Sequence, residues 1–399
     1  MRVAIIIHSY WPDRGPIPST TRALAEHLVT LGHTVTVVTP TRSRSSASGL
    51  ENVAGVSVRR VRIPRRWAGR LAARGLHAAL FSVRVAAHVL WRRRSYDLVI
   101  VSTYPPILLA AAVRACAAWA RYRYIYHLQD LNPEAALHSG VMRSGLRSRL
   151  LTRLETRNRT SAAGLVVLSQ DMAATLINSG HSDAPIRVIN NFMVSDSSNV
   201  EVPPEYLKRE GVFRAIFAGN LGLVQGLDNV VEAARLLLDN GDIEFSFMGS
   251  GFAEESLRSH AQELGLSNVT FLPFLPEEQA QTVLRDADVG IISLMEGINQ
   301  FAYPSKILAY LEAGLPLLAV ADRGSDLADT VVESGAGLAC PPGDPVALAG
   351  LVEKLARTAA SRSSAVDQLA NRRFSSGPAL LAWTSLIEEI DMHLDRISD

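Results

Sequence analysis

The sequence has little cysteine and no long hydrophobic run free of charge. Its two cysteines, Cys116 and Cys340, lie too far apart for a C-x-x-C pair. This excludes a disulfide scaffold and a zinc ribbon and suits a reducing compartment. The best candidate for a membrane-spanning helix, Leu108–Ala120, is interrupted by Arg114 and falls short of the roughly 18 residues required. We therefore expect a cytoplasmic protein, in which Met1–Ile7 is a first strand rather than a signal peptide.

Lysine is also scarce, and charge is unevenly distributed although the net charge is only +1. Residues 1–200 carry 26 arginines, no lysine and 10 acidic residues, whereas residues 201–399 carry 14 basic and 29 acidic residues. The three lysines, Lys208, Lys306 and Lys354, all lie in the acidic half. Opposite charge in the two halves predicts two domains with different partners.

Short apolar runs alternate with helical periodicity along both halves. Val3–His8 is predicted to be a strand, Ser19 or Thr20 to cap the helix that follows, and Thr34–Thr39 to complete a βαβ unit. Further strands are predicted at Leu98–Ser102, Tyr124–Leu128, Gly164–Leu168, Ile186–Ile189, Arg214–Ala218, Ile243–Met248, Val269–Phe271, Val289–Ile292, Leu317–Val320 and Gly337–Ala339. Strands separated by helices form parallel sheets covered by helices on both faces.

The domain organisation follows from this pattern. We predict an α/β fold with two Rossmann-like doubly wound domains, residues 1–200 and 210–375, that face each other across a cleft. The polar segment Ser195–Arg209 is the predicted linker. Residues 376–399, with a helix at Ala379–Leu394, are expected to pack back on the N-terminal domain.

Glycines follow two consecutive strands of the second half. They stand at Gly219, Gly222 and Gly226 after the first strand, and at Gly249 and Gly251 after the second. Glycine turns between strand and helix let backbone N–H groups approach a phosphate, although a turn that only needs positive φ has the same composition. The spacing differs from G-x-G-x-x-G, so both interpretations stay open.

The segment Tyr303–Pro316 is the most informative stretch of the second half. Pro304 ends a loop, and Ser305 and Lys306 begin a helix that closes at Gly314. Free N–H groups, a hydroxyl and a mobile ammonium at a helix N-terminus suit a diphosphate. The alternative is that Ser305 only caps the helix and Lys306 is solvated. We favour diphosphate binding.

Two other segments carry polar residues at strand ends. Asp286 and Asp288 resemble a D-x-D metal motif, but they join a helix to a strand, and we predict no metal site there. In the first half, His127 and Gln129 share one face of a strand end, and Asp130 and Glu134 follow in a predicted exposed loop. Polar groups at the carboxyl ends of strands are typical of α/β active sites, although a hydrogen-bonded core histidine has the same pattern.

A basic segment in the first half predicts contact with an anionic membrane. Residues 59–94 contain eleven arginines and no acid, and a second cationic helix is predicted from Arg143 to Arg159. We assign acceptor or membrane contact to Arg66, Trp67, Arg70, Arg74, Trp91 and Arg92. The absence of a nucleic-acid motif and the acidic second half argue against nucleic acid as the partner. A solvated arginine face remains the alternative.

Taken together, these motifs resemble the retaining glycosyltransferases of family 4, and within it the branch that adds sugars to bacterial O-antigen and exopolysaccharide units. The resemblance spans nearly the whole chain and is densest in residues 214–320. It rests on Gly219-Asn-Leu-Gly222 with Gln225-Gly226, Phe247-Met-Gly-Ser-Gly251, Phe271-Leu-Pro-Phe274, Ala287-Asp-Val-Gly290, Pro304-Ser-Lys-Ile-Leu with Ala313-Gly-Leu-Pro316, and His127-Leu-Gln-Asp-Leu-Asn-Pro-Glu134.

The resemblance implies the GT-B fold and metal-independent transfer, with retention, from a nucleoside-diphosphate sugar, expected to be UDP-linked, without a cofactor. It implies a lipid-linked saccharide acceptor at the inner face of the plasma membrane, where the protein is peripheral. The donor would contact Gly219, Asn220, Gln225, Gly249, Phe274, Tyr303, Ser305, Lys306 and Glu312. His127, Gln129 and Asp130 would orient the donor sugar or acceptor, and either His127 or Gln129 matches the family's cleft histidine.

The sequence departs from the family pattern at several positions. Asn220 and Gln225 stand where an arginine and a lysine commonly bind the diphosphate, and Phe301 and Ala309 stand where two glutamates are common. Glu312 or Glu296 is the expected substitute for the carboxylate that holds the ribose. Gly15-Pro-Ile-Pro18 replaces the usual Gly-Gly loop after the first strand. The alternatives are therefore a sugar-nucleotide epimerase, a natural-product glycosyltransferase, and a catalytically weak sugar-nucleotide-binding protein.

Overall fold

The structure is a computed structural model that describes residues 1–13, 15–41, 50–62, 71–92, 95–180, 184–194, 200–358 and 364–398. Side chains within 71–77 and 393–398 are outside the description. The chain divides into two compact units, which we describe separately. The first unit comprises Met1–Asn191 with Ser376–Asp399, and the second comprises Phe192–Ser375.

The first unit is built on an eight-stranded sheet. Its strands are β1 (Arg2–Ile6), β2 (Thr34–Pro40), β3 (Leu50–Val53), β4 (Val56–Val61), β5 (Leu98–Ser102), β6 (Arg123–His127), β7 (Gly164–Val167) and β8 (Ile186–Val188). They are arranged in the order β3-β4-β2-β1-β5-β6-β7-β8, and every pair is parallel except the β3–β4 hairpin. The intervening helices are α1 (Pro16–Thr30), α2 (Leu71–Trp91), α3 (Leu108–Ala120), α4 (Glu134–His138), α5 (Leu146–Thr160) and α6 (Gln170–Asn178).

The second unit has a six-stranded, wholly parallel sheet. Its strands are β9 (Phe213–Asn220), β10 (Ile243–Ser250), β11 (Val269–Leu272), β12 (Val289–Ser293), β13 (Leu317–Val320) and β14 (Gly337–Cys340). Its helices are α7 (Asp228–Leu236), α8 (Glu254–Glu263), α9 (Glu277–Asp286), α10 (Lys306–Ala313), α11 (Asp326–Glu333), α12 (Pro345–Arg357) and α13 (Ser364–Arg373). The order β11-β10-β9-β12-β13-β14 makes β9 and β12 the strands where the winding direction reverses. The predicted α/β class with two doubly wound parallel sheets is confirmed.

The last helix, α14 (Ser376–Ser398), belongs to the first unit although it follows the second in sequence. Trp383, Leu386 and Ile390 are buried in the same apolar core as residues of β1 and α1. A Cβ added to Gly164, the first residue of β7, would lie 3.3 Å from the side chains of Leu386 and Ile390. The small residue therefore lets α14 pack closely on the start of β7.

The start of α1 differs from the prediction. Neither Ser19 nor Thr20 caps the helix, because it begins at Pro16, in the segment Gly15–Pro18 where the sequence predicts a loop. Proline is favourable in a first turn, since its fixed φ is helical and its missing N–H needs no partner. The Thr20 hydroxyl instead donates to the Pro16 carbonyl oxygen at 2.8 Å, one turn back inside the helix.

The β3–β4 hairpin was not predicted from the sequence, and the second unit begins before the predicted linker. Arg60, assigned to a basic segment ahead of a helix, lies in β4 and pairs with Glu51 of β3 at 3.2 Å. The second unit begins at Phe192, because neighbouring residues are anchored to it. The Met193 N–H donates to the Phe374 carbonyl oxygen at 2.8 Å, and Lys208, inside the predicted linker, binds Asp288 at 2.6 Å.

Candidate active site

Two glycine turns lie side by side at the carboxyl ends of β9 and β10. Gly219 and Gly249 are paired in register and have φ of +119° and +140°. A Cβ on Gly249 would lie 2.0 Å from the Gly219 carbonyl oxygen, so no larger residue fits. Close approach of two backbones therefore explains Gly249, and the resulting turn leaves Gly219 open toward α10. A Cβ there would lie 4.0 Å from Cε of Lys306.

Lys306 is the first residue of α10, and its amine is shielded from solvent beside this turn. Nζ lies 3.4 Å from the ring centroid of Phe217, on β9. It has no hydrogen-bond partner among the residues that the structure describes. Burial lowers the pKa of the Lys306 ammonium well below its ordinary value. Ser305 is exposed at the N-cap position and makes no side-chain cap, contrary to the alternative in which it serves only as a cap.

Asn220 and Gln225 meet over Gly222. Asn220 Nδ2 and Gln225 Oε1 lie 2.7 and 2.6 Å from the position that a Cβ on Gly222 would take. Gln225 Oε1 is buried and has no partner in the described part of the chain, and the same is true of Asn229 Nδ2, which the sequence analysis did not select. Asn220 and Gln225 therefore offer side-chain amides for hydrogen bonding, at positions where the family that this chain resembles commonly has cations.

The other predicted donor residues are more dispersed. Phe274 is 72% exposed in the loop after β11. Tyr303 is buried and stacks on Phe374, with ring centroids 6.4 Å apart. Glu312 is six residues after Lys306 on α10, which corresponds to about 9 Å along the axis. Its carboxylate accepts from Gln281 Nε2 at 3.4 Å. The structure therefore groups Gly219, Asn220, Gln225, Gly249 and Lys306, and leaves Glu312 at the other end of its helix.

In the first unit, both alternatives for the cleft residue lie together at the end of β6. Gln129 Nε2 is 2.9 Å from His127 Nε2, and Asn191 Nδ2 donates to Gln129 Oε1 at 2.8 Å. The Trp383 ring meets the His127 ring edge-on at 5.1 Å. Burial lowers the pKa of His127 to about 4, so the imidazole is neutral at pH 7. Asp130, next along the chain, is exposed.

Asn191 was missed by the sequence analysis, although it follows strand β8 at the same edge of the sheet. It is buried, and Thr20 Oγ1 donates to its Oδ1 at 3.4 Å. The polar end of a strand was a usable signal, because active-site groups of parallel sheets gather at carboxyl ends.

The prediction that Glu134 lies in an exposed loop and Arg159 on a cationic face is wrong. Glu134 begins α4, and its carboxylate accepts two hydrogen bonds from the Arg159 guanidinium at 2.7 and 2.9 Å. Arg159 is 1% exposed and lies 3.4 Å from the buried Glu155. A buried guanidinium is tolerated because carboxylates compensate its charge.

The basic segment is only partly described. Arg66, Trp67 and Arg70 lie outside the described residues, and Arg74 lies in α2 with its side chain outside the description. Trp91 is 75% exposed, and the Arg92 guanidinium lies 5.5 Å from its ring centroid. No helix in the described part combines the length and the apolar character that crossing a bilayer requires.

The two aspartates of the D-x-D segment bind neighbouring segments of the second unit. The Lys208 N–H donates to Asp286 at 2.6 Å, and Asp288 accepts from the Lys208 ammonium and from the Arg214 N–H. Among the described residues, no three His, Cys, Asp or Glu side chains are grouped as metal ligands. Metal independence stays a prediction.

Comparison with known proteins agrees with this geometry. Residues 16–191 match the model of the glycosyl transferase 4-like domain, and residues 200–370 match that of glycosyl transferases group 1. The chain is 31% identical over 308 residues to the probable glycosyltransferase WbjE of Pseudomonas aeruginosa, covering 74% of each protein. The chain belongs to the family 4 glycosyltransferases. This confirms the resemblance stated from the motifs.

Two further comparisons place this glycosyltransferase among known proteins. It is 23% identical to the putative colanic acid biosynthesis glycosyl transferase WcaI of Escherichia coli K12, over 82% of this chain and 85% of WcaI. It is also similar to the crystal structure of Anabaena Alr3699/HepE in complex with UDP. That match has a TM-score of 0.66 and 14% identity, and covers 98% of this chain and all of the other. The second likeness shows the shared GT-B fold.

Proposed function

We propose that this glycosyltransferase moves a sugar from UDP to a lipid-linked saccharide during synthesis of a cell-surface polysaccharide, with retention of configuration and without a metal. WcaI, a relative, is named for colanic acid biosynthesis, and HepE, a structural neighbour, binds UDP. The name of WcaI supports a growing polysaccharide as acceptor, and the complex of HepE supports a UDP-linked donor.

The observation that carries the proposal is the shielded Lys306 amine beside the Gly219 turn. Burying an ammonium without an acceptor is unfavourable, and among the described residues Lys306 has a cation–π contact with the Phe217 ring and no hydrogen-bond acceptor. A diphosphate at the turn would give the amine two or three charged acceptors, with free N–H groups at the start of α10 nearby. Lys306 would thereby supply a cation for the diphosphate, as other cationic residues commonly do in the family that this chain resembles.

Departure of the sugar leaves negative charge on the diphosphate. Lys306 would bind that charge more strongly as it develops, which is the differential interaction that lowers the barrier. In the first unit, neutral His127 can both donate and accept a hydrogen bond, so with Gln129 and Asp130 it would orient the sugar or acceptor hydroxyl. The leaving phosphate would take the acceptor proton, as the family resemblance implies.

The acceptor side of the proposal draws on charge. A lipid-linked acceptor lies at the anionic inner face of the plasma membrane, where the arginine-rich first half would be attracted. Exposed Trp91 beside Arg92 has the composition of an interfacial contact. The protein would then be a peripheral membrane enzyme.

Thermal shift with a panel of nucleoside diphosphates tests the donor assignment. UDP at 100 times its Kd should stabilise the second unit by about 2.7 kcal/mol. Lys306→Ala should abolish most of this shift, whereas Lys354→Ala, an exposed lysine on α12, should keep it. Equal shifts in the two variants would remove Lys306 from the donor site.

Product analysis tests the reaction. Incubation with a UDP-sugar and membrane lipids should yield a glycosylated lipid whose new linkage has the donor's anomeric configuration, and EDTA should leave the rate unchanged. Epimerised sugar nucleotide formed without any acceptor would instead identify an epimerase.

A further inference from the structure

We infer that one exposed face of α5 docks this glycosyltransferase on an anionic lipid bilayer. This docking face consists of Leu146, Arg147, Arg149, Leu150, Arg153 and Arg157, all exposed on the first unit. The inference rests on the lipid-linked acceptor proposed above, and it names the surface that makes the contact.

The first observation is that α5 has its polar and apolar sides reversed. A surface helix normally buries an apolar stripe and exposes charge. In α5 the buried side carries Glu155, Asn158 and Arg159, whereas Leu146 and Leu150, one turn apart, are 85% and 66% exposed. Because these leucine side chains are not packed in the interior of the unit, they are available to an apolar partner.

The second observation is the charge that surrounds the leucines. The exposed arginines on α5 and just before it are Arg143, Arg147, Arg149, Arg153 and Arg157. None of them forms an ion pair with a side chain that the structure describes, whereas arginines on other helices pair with neighbouring acids, as Arg22 does with Glu26. The single acid of α5, Glu155, is buried.

Leucines among arginines that pair with no described side chain are complementary to one kind of surface. Anionic headgroups accept hydrogen bonds from guanidinium groups, and the acyl layer beneath them accommodates leucine side chains. A nucleic acid would match the arginines and leave the leucines exposed. Charge and apolar character together therefore favour a bilayer.

The third observation ties this face to the acceptor side of the unit. On the buried side of α5, the Arg159 guanidinium holds both oxygens of Glu134 and donates to the Asn132 carbonyl oxygen at 2.9 Å. These residues end the segment that begins at His127 and contains Asp130. Docking through α5 would therefore hold that segment close to the membrane surface that carries the acceptor.

Vesicle sedimentation of the full-length protein tests the inference. Wild type should bind vesicles of phosphatidylcholine with phosphatidylglycerol, and binding should weaken with added salt and be absent from phosphatidylcholine alone. Arg149→Gln with Arg153→Gln should weaken binding about 25-fold, at about fivefold for each arginine near the surface. Leu146→Glu with Leu150→Glu should weaken it at least as much.

Matched variants elsewhere serve as controls. Ile177→Glu, at an exposed apolar position of α6, and Arg235→Gln with Arg357→Gln on the second unit should bind vesicles as wild type does. Absence of anionic-vesicle binding by wild type, or unchanged binding by both α5 variants, would overturn the inference. So would a leucine variant that binds normally while an RNA duplex competes with the vesicles, since the face would then be an electrostatic nucleic-acid surface.

The UDP-induced thermal shift separates this inference from the proposed function. All α5 variants should keep the full shift, because the donor residues lie on the second unit. If wild type docks through α5 and shows no shift with UDP, the donor proposal fails and the docking surface stands. If the shift is present and docking is absent, the docking surface fails instead.

Discussion

Binding of UDP should transfer a proton from solvent to Lys306. In the free protein, burial lowers the pKa of this ammonium, and the described residues supply no hydrogen-bond acceptor to restore it. A diphosphate within hydrogen-bond distance favours the charged form and raises the pKa again. Between the free and the bound pKa, each complex formed therefore takes up about one proton.

The magnitude follows from this linkage. In the window between the two pKa values, Kd should rise about tenfold for each pH unit, equivalent to about 1.4 kcal/mol of binding free energy. Below the free-protein pKa the affinity should level off. Replacing Lys306 with Met, which keeps the chain length and removes the charge, should remove the pH dependence. It should also cost about 1.5–3 kcal/mol of affinity where the ammonium is charged.

Calorimetric titration in two buffers of different ionisation enthalpy measures the proton uptake directly. The titrations should be run above about pH 7.5, because the second ionisation of a phosphate, with a pKa of about 6, is complete there. Lys354→Met should take up protons as wild type does, and Lys306→Met should take up none. Zero uptake by wild type at every pH tested from that value upward, with UDP still bound, would refute the transfer of a proton to Lys306 on binding.

Three other outcomes follow from the described contacts. Arg159→Met should lower the free energy of unfolding in urea by about 3–5 kcal/mol because two carboxylates lose their cation, whereas Arg157→Met, on the exposed side, should change it by less than about 0.5 kcal/mol. Tyr310→Phe should cost about 1–3 kcal/mol, since the hydroxyl that accepts from the buried Ala218 N–H at 2.8 Å is lost; thermal unfolding tests this. For His127 the folded pKa of about 4 lies below the ordinary value of 6.5, so its contribution to stability is complete above pH 6.5 and is lost as pH falls toward 4. That loss amounts to about 3 kcal/mol, and a variant with Gln at this position should show a correspondingly flatter dependence of unfolding free energy on pH.

Buried parallel strands were the best-predicted elements. Leu98–Ser102 and Leu317–Val320 have the predicted bounds to the residue. Such strands are covered on both faces, so they are continuous apolar runs that end where polar or turn residues begin. The β3–β4 hairpin escaped prediction because neither strand is a continuous apolar run: β3 is short and partly exposed, and β4 carries two consecutive arginines after its buried valines.

The sequence predicted individual residues of the candidate site but not how the fold brings them together. The start of α10 was predicted to within one residue from Pro304 and Ser305, which are local signals. The shielding of its amine by Phe217 depends on the pairing of β9 with β12, on which α10 packs. The burial of Arg159 likewise depends on Glu134, 25 residues away in sequence.

Patterning along the chain was enough to establish the class of fold, its division into two halves and the family. Periodicity and turn chemistry act over a few residues and can therefore be found without coordinates. The protonation of Lys306, the salt bridge beneath α5 and the leucines left outside that helix depend on which distant segments are brought together. Those contacts form only in the folded chain, and they determine which charged groups are desolvated.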